Sequence, residues 1–368
     1  MRFEVLTEQA PGPARWRSLI ERLARQQDIH FLPEYGAIYR KTYGYEPFLA
    51  VYGDESRFVV QPFVKRPLND LPFLRDQEVT HSYYDIASPY GYGGPAYRCE
   101  SPEEAVELYR SFDACLLEYC RGEKLAAEFT SLHPFLEGSR LLAAVGAENL
   151  VRQKEVVYLD LPGSEAQRWK ATRKGHRSSI TRARRSGVRV EKMAPTRPHF
   201  DELNRLYYET MERNQAARRW IFPRDYFWNC FECLGERRVS LFFARVGDAV
   251  ASASILMHDF DTVYYHFSGS DSRYHDYCPN NLLVFEMAAW AEAAGYRRLH
   301  LGGGVTSAPD DSLLTFKSGF SDQRAALYTH HRVLDQPTYD RLCELKVNHE
   351  RTGGARGADL DFFPLYRR

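Results

Sequence analysis

No stretch of this sequence approaches the roughly 18 consecutive apolar residues that a membrane-spanning helix needs. The opening MRFEVLTEQAPGPARW holds no apolar core of signal-peptide length, so a cytoplasmic protein is expected rather than a membrane one. A disulfide framework is also missing. Seven cysteines, an odd number thinly spread, read as reduced thiols. Cys230 and Cys233 form a C-x-x-C, but PRDYFWNCFECLGE looks helical and no second pair follows at zinc spacing, so they read as buried helix-face thiols. Net charge is absent: 49 Lys and Arg balance 49 Asp and Glu. No global field then draws the chain to DNA or a membrane, and any polyanion must be met by a local patch. There is no G-x-S-x-G elbow, no plausible Cys–His pairing and no metal-ligand spacing. A covalent enzyme intermediate, a metal and a redox cofactor are therefore not expected.

What is present is one plan used twice. EPFLAVYGDESRFVVQPFV reads as two strands about a Gly53-Asp54 turn, and RRVSLFFARVGDAVASASILMHD repeats it around Gly247-Asp248. Glycine supplies the positive φ such a hairpin needs. An aromatic strand follows each hairpin, VTHSYYDIASPYG in one half and TVYYHFSGSD in the other. A long amphipathic helix comes next. Ala105, Leu108, Tyr109, Phe112, Leu116 and Tyr119 form one stripe after Ser101-Pro102; Leu283, Met287, Trp290 and Ala294 form the other after Pro279-Asn280. Helices marked by Trp16, Leu19, Ile20 and Leu23, and by Leu203, Leu206, Tyr207 and Met211, precede the hairpins. The pattern predicts an α+β duplication with domains over 1–160 and 161–335 and a helix and tail over 336–368. No long exposed edge or heptad seam argues for assembly, so a monomer is the default.

Between the halves the chain turns basic. Ten cations lie between 168 and 192, opposed in that window only by Glu191. Such a patch suits the phosphates of an RNA or of a nucleotide-linked precursor, though a solvated basic helix has the same composition.

KGHRSSITRARRSGVRVE, PNNLLVFEMAAWAEAAGYRRLHLGGG and LHLGGGVTSAPDDSLLTFKSGFS, in this order and spacing, resemble the Fem-type aminoacyltransferases within the GNAT acetyltransferase superfamily, and SPYGYGGP resembles a turn of that family. The resemblance covers most of 30–335. It implies two tandem GNAT-like domains sharing a cleft, and transfer of an aminoacyl group from a charged tRNA to an amine of a cell-envelope precursor or a secondary metabolite. Two departures stand out. HDYCPNN replaces the R/Q-x-x-G-x-G/A loop whose backbone N–H groups hold the pyrophosphate of coenzyme A, and 190–240 has no heptad pattern for a coiled-coil arm. An acyl-CoA-dependent N-acyltransferase acting on an amino sugar or similar amine is the alternative, and a non-catalytic module binding a nucleotide-linked or peptide ligand is a third reading.

The candidate residues follow. Lys317, flanked by Phe316 and Phe320, is by resemblance in the cleft, there to bind a carboxylate or phosphate or to stabilise an oxyanion. Gly303 and Gly304, after Gly302, permit close backbone approach. Strand alternation puts Tyr264, His266 and Ser268 on one face and Tyr265 on the other; His266 is either a general base or a structural hydrogen-bonder. Asp85, after Tyr84, either holds and deprotonates the acceptor ammonium or forms an Asx turn. Lys174, Arg177 and Arg184 are the expected phosphate contacts. With no nucleophile in view, the expected mechanism is direct attack of an amine on an activated ester, helped by orientation and oxyanion stabilisation. Aminoacyl-tRNA is then a co-substrate, with acyl-CoA the alternative donor and no bound cofactor.

Overall fold

The computed structural model describes residues 1–9, 11–75, 82–161, 163–308, 310–352 and 362–368. No helix among them is long and apolar enough to cross a membrane. The chain divides into two compact units, Met1–Gln153 with Leu327–Arg368, and Lys154–Ala326. The segment set apart as a C-terminal helix and tail thus packs with the first unit.

In the first unit the strands Glu46–Gly53 and Phe58–Pro67 pair antiparallel with Gly53 opposite Phe58. Asp54 fixes the connection: its Oδ1 accepts the N–H groups of Ser56 (2.9 Å) and Arg57 (3.1 Å). Arg2–Thr7 adds outside Glu46–Gly53, and Tyr84–Ala87 pairs with Phe58–Pro67 on the other side. Leu125–Ser131 then runs parallel to Tyr84–Ala87. Val79–His81, expected at the start of that aromatic strand, lie outside the described residues.

The helix Pro102–Gly122 begins where Ser101 accepts the Glu104 N–H at 3.2 Å, with Pro102 at the first position, where a missing N–H costs nothing. Its buried stripe is Ala105, Leu108, Tyr109, Phe112, Leu116 and Cys120, packed on Phe48, Ala50, Val59 and Phe63 from the sheet. Full burial of side chains such as Phe112 and Leu116 contributes about 1.5–3 kcal/mol each.

The chain's end docks. Helix Gln336–Thr352 is followed, beyond residues outside the description, by Tyr366, which is 1% exposed, and by Arg367. Both reach the Asp85 carboxylate of the same unit.

The second unit repeats the plan. Its strand order is Leu150–Asp160, Arg298–Gly302, Thr262–Ser270, Ala249–Asp259, Val239–Val246 and Arg189–Met193. Val246 faces Ala249 across a two-residue turn, with Gly247 at φ +61°. Thr262–Ser270 and Arg298–Gly302 are parallel, the counterpart of the parallel pair in the first unit. The helix Pro279–Ala293 buries more than the expected stripe. Leu282, Val284, Phe285, Ala288 and Ala291 are covered as well as Leu283 and Met287, because the basic helix Lys174–Arg185 lies against it and contributes Ile180 and Ala183 to the same core.

Candidate active site

The site begins where two parallel strands part. The ladder between Thr262–Ser270 and Arg298–Gly302 runs from Thr262 opposite Arg298 to Tyr264 opposite His300 and ends there. Gly302, at φ +79°, then turns the chain out of the sheet. Asp311 stops the following loop. Its carboxylate accepts the N–H groups of Thr306 and Leu314, both at 2.9 Å, and the Thr306 hydroxyl at 3.1 Å, and so caps the helix Ser312–Ser318.

That helix carries Lys317, 8% exposed, whose Nζ donates to the Gly303 carbonyl at 2.8 Å and lies 6.0 Å from the Tyr265 ring centre. A second lysine arrives from the strand Leu150–Asp160. Lys154 Nζ donates to the next carbonyl, that of Gly304, at 2.7 Å. The glycines are needed for this approach. A Cβ on Gly303 would sit 3.3 Å from the Lys154 stem and 2.9 Å from the Glu155 carbonyl, and one on Gly304 would sit 2.4 Å from Asp311 Oδ1. Gly303 and Gly304 therefore present carbonyls to two ammoniums, a different use from a cradle of N–H groups.

Burial, then the like charge of Lys154, bring Lys317 down to about 7, with Asp311 opposing them. Lys154 is lowered too, by burial and Arg219, again against Asp311. Two ammoniums with one shared carboxylate, already bound to three donors, make a site that favours an added anion.

The expected face of the strand Thr262–Ser270 is not preserved. Ile255 pairs with Phe267 and Leu256 with Tyr265, so His266 falls in a bulge and the alternation of faces breaks there. Tyr264 is buried against His300, with ring centres 5.4 Å apart. His266 Nε2 lies 2.9 Å from the Tyr226 hydroxyl. Tyr265 is the tyrosine that reaches Lys317.

The basic patch is narrower than its composition. Arg177 Nη1 donates to the carbonyls of Thr172 (2.6 Å), Trp169 (3.3 Å) and Lys170 (3.4 Å), closing the C-terminal end of helix Glu165–Ala171. Arg184 pairs with Glu286 at 2.9 Å and Glu165 at 3.3 Å, and Arg168 pairs with Glu292. Arg177 and Arg184 thus have carbonyl and carboxylate partners of their own, supplied by residues outside the basic run in the case of Arg184. Lys174, Arg182 and Arg185 stay exposed along a groove of about 590 Å³ walled by Trp169 and lined by Ser178 and Thr181.

Comparison with known proteins bears on the fold that carries these residues. Residues 170–318 match the family described as acetyltransferase (GNAT) domain, a span that holds the basic helix and Lys317. FemX has the same fold at a TM-score of 0.68 and 14% identity, over 92% of this chain and 99% of FemX. The chain has a Fem-type GNAT fold. A conserved protein of unknown function from Bacteroides thetaiotaomicron VPI-5482 aligns at 0.52 and 14% identity, over 80% of this chain and 88% of that one. The C-terminal domain of a putative lysylphosphatidylglycerol synthetase from Agrobacterium fabrum aligns at 0.50 and 16% identity, over 94% and 99%. At these identities the likeness is one of fold. No curated protein matches the sequence.

In the first GNAT-like unit Asp85 is a structural anion, contrary to the expected base. It is fully buried and gripped by two forks: Arg66 Nε and Nη2 at 2.8 and 2.9 Å, and Arg367 Nε and Nη2 at 2.7 and 3.0 Å. The Tyr366 hydroxyl adds a bond at 3.1 Å. Burial pushes this carboxyl up, but the two guanidiniums outweigh it and leave it below the usual range. A carboxylate so held is a poor proton acceptor. Tyr84 faces Lys65, whose Nζ lies 4.5 Å from its ring centre.

The same unit assembles a cluster that does not show as a motif, because its third member lies about a hundred residues from the other two. Asp28, His30 and His133 are buried with their ligand-type atoms within 4.8 Å of one another. His30 Nδ1 is 2.5 Å from Asp28 Oδ1, and His133 Nε2 is 3.2 Å from Asp28 Oδ2. His133 Nδ1 accepts the Phe135 N–H at 3.2 Å, so in the neutral ring Nε2 carries the hydrogen that meets Asp28. A metal on that Nε2 would put a hydrogen on Nδ1, against the Phe135 N–H. The geometry is that of a hydrogen-bonded anion. Gly91 of the SPYGYGGP turn closes over it: a Cβ there would sit 2.6 Å from His30 Nε2.

Proposed function

We propose that this protein moves an aminoacyl group from an aminoacyl-tRNA to an amine, of a cell-envelope precursor or a secondary metabolite, by direct attack of that amine on the ester. The observation that carries the reading is Lys317. A buried ammonium beside a second one, at the end of parting strands, is suited to the oxyanion that develops on the ester carbonyl. One such donor supplies roughly 10²–10³ in rate. An aminoacyl ester is already activated, so orientation and this charge supply what the reaction needs.

Two features favour an RNA donor over coenzyme A. The exposed cations Lys174, Arg182 and Arg185 line a groove beside Trp169, which suits phosphates and a stacked base. The helix Pro279–Ala293 offers few N–H groups for a pyrophosphate: Pro279 has none, and the Asn281 N–H is bonded to the Cys278 carbonyl at 3.2 Å.

The test supplies labelled aminoacyl-tRNAs and a panel of amines to the purified protein. Label passing from tRNA to an amine, and abolished by ribonuclease, is expected. Transfer insensitive to ribonuclease, with free coenzyme A thiol released from acyl-CoA donors, would replace this reading with that of an acyl-CoA N-acyltransferase.

A further inference from the structure

Lys154 is a lone lysine in RQKEVV, with nothing in its sequence context to mark it. Its position in the fold is specific. It and Lys317 donate to consecutive carbonyls, those of Gly304 and Gly303, at 2.7 and 2.8 Å. The approach is so close that Gly303 has no room for a side chain, and Gly304 is kept bare by Asp311, the carboxylate both lysines face. Other titratable or charged groups around Lys317 are Tyr265 across the gap, His300 near the Gly302 turn, and His176 and Arg324 against the outer side of its helix, on Phe316 and Ser318. None of these four is a carboxylate.

We propose that Lys154 is a positioning residue for Lys317: by claiming the neighbouring carbonyl and sharing Asp311, it keeps the Lys317 ammonium ready to release a proton during acyl transfer. The proposal rests on the acyl-transfer reading of this site. In the step it serves, the lone pair of the acceptor amine forms the C–N bond at the ester carbonyl carbon while the C=O pair moves onto oxygen. Collapse of that intermediate restores C=O and breaks the bond to the ribose oxygen of the RNA. That oxygen takes a proton from Lys317, and the surplus proton on nitrogen returns to Lys317. The products are the amide and deacylated RNA, with the lysine unchanged. A donor titrating near neutrality is well matched to this exchange, and an ordinary lysine is not.

The sign follows from the charges. Lys317 titrates at about 7 and must give up its proton while Lys154 still carries charge. Removing that like charge makes the Lys317 proton harder to lose. Activity that needs the protonated form is full below this midpoint and falls above it, so the high-pH limb moves upward when Lys154 loses its charge.

The experiment follows the Lys317 resonance by NMR in protein carrying ¹³C-labelled lysine, assigned by its loss in Lys317→Arg, and in parallel the pH dependence of transfer. Lys154→Gln is expected to raise the Lys317 midpoint by about one pH unit, a tenfold lower ratio of neutral to charged lysine at a given pH, and to move the high-pH limb of transfer with it. Lys154→Arg, which keeps the charge, is expected to hold both near the wild-type values. An unmoved midpoint in folded Lys154→Gln overturns the proposal, as does an equal shift in both variants. Should Lys154→Gln not fold, a wild-type Lys317 that titrates with the surface lysines overturns it alone. Transfer that proceeds with an unmoved midpoint removes the role of Lys154 and leaves the acyl-transfer reading intact. A shifted midpoint in a protein that transfers from no donor supports the lysine pairing and refutes the acyl-transfer reading, and with it the role of Lys154 in that step.

Discussion

Replacing Arg367 by Met tests the reading of Asp85 as a structural anion. The wild-type carboxylate, itself without solvent exposure, receives four guanidinium N–H bonds and a tyrosine hydroxyl. Arg367→Met removes two of the five donors and leaves a buried charge with half of its counter-ions. Breaking a buried ion pair costs about 3–5 kcal/mol when nothing else compensates. Because Arg66 remains, a loss of about 2–3 kcal/mol is expected. The exposed Arg140–Glu137 pair is the control: Arg140→Met is expected to change stability by less than about 0.5 kcal/mol. Urea denaturation followed by circular dichroism measures both. The pH dependence gives an independent sign. Asp85 is lowered in the folded state, so its stabilisation is present above the unfolded value and is lost as pH falls through the folded one. In Arg367→Met the folded value rises, and acid unfolding is expected at higher pH. An Arg367→Met protein as stable as wild type, or acid unfolding that does not move, refutes the reasoning. If Asp85 were instead the base of the reaction, Asp85→Asn would abolish transfer without loss of stability.

Further outcomes follow from other sites. Asp28 is pushed up by burial and brought down further by His133 and His30, to a point well below its ordinary 3.8. Its contribution is therefore held above that value and lost on acidification below it, and Asp28→Asn is expected to flatten the acid limb of a thermal-melt series. Gly304→Ala drives a Cβ into the Asp311 carboxylate. Loss of that helix cap costs about 1 kcal/mol by chemical denaturation, and transfer is expected to fall as the Gly304 and Gly303 carbonyls that hold Lys154 and Lys317 shift. Arg182→Ala and Arg185→Ala are each expected to weaken tRNA binding and to reduce the salt slope of binding by about one, read by filter binding across a salt series.

The repeated plan was legible because it rests on local chemistry. Gly53-Asp54 and Gly247-Asp248 turn hairpins, and Ser101-Pro102 starts a helix, by interactions within a few residues. Lys317 was legible as a partly desolvated lysine from its flanking phenylalanines. What stayed hidden depends on long-range pairing. Lys154 meets Lys317 only when the strand Leu150–Asp160 lies beside the Gly302 turn. Asp85 looked available because its partner Arg367 sits in a tail that composition could not dock. The run of basic residues looked open because the carboxylates Glu286 and Glu292, which hold Arg184 and Arg168, come from a later helix. His266 was misplaced because a bulge leaves no mark in an alternating pattern.

The central claim is that Lys317 stabilises the transition state of aminoacyl transfer. Single-turnover transfer from a preformed complex with labelled aminoacyl-tRNA, compared between wild type and Lys317→Ala, tests it most directly. The account predicts a rate about 10²–10³ lower in the variant, with tRNA affinity unchanged and the wild-type rate falling as pH rises through about 7. A Lys317→Ala protein that transfers at the wild-type rate would contradict it.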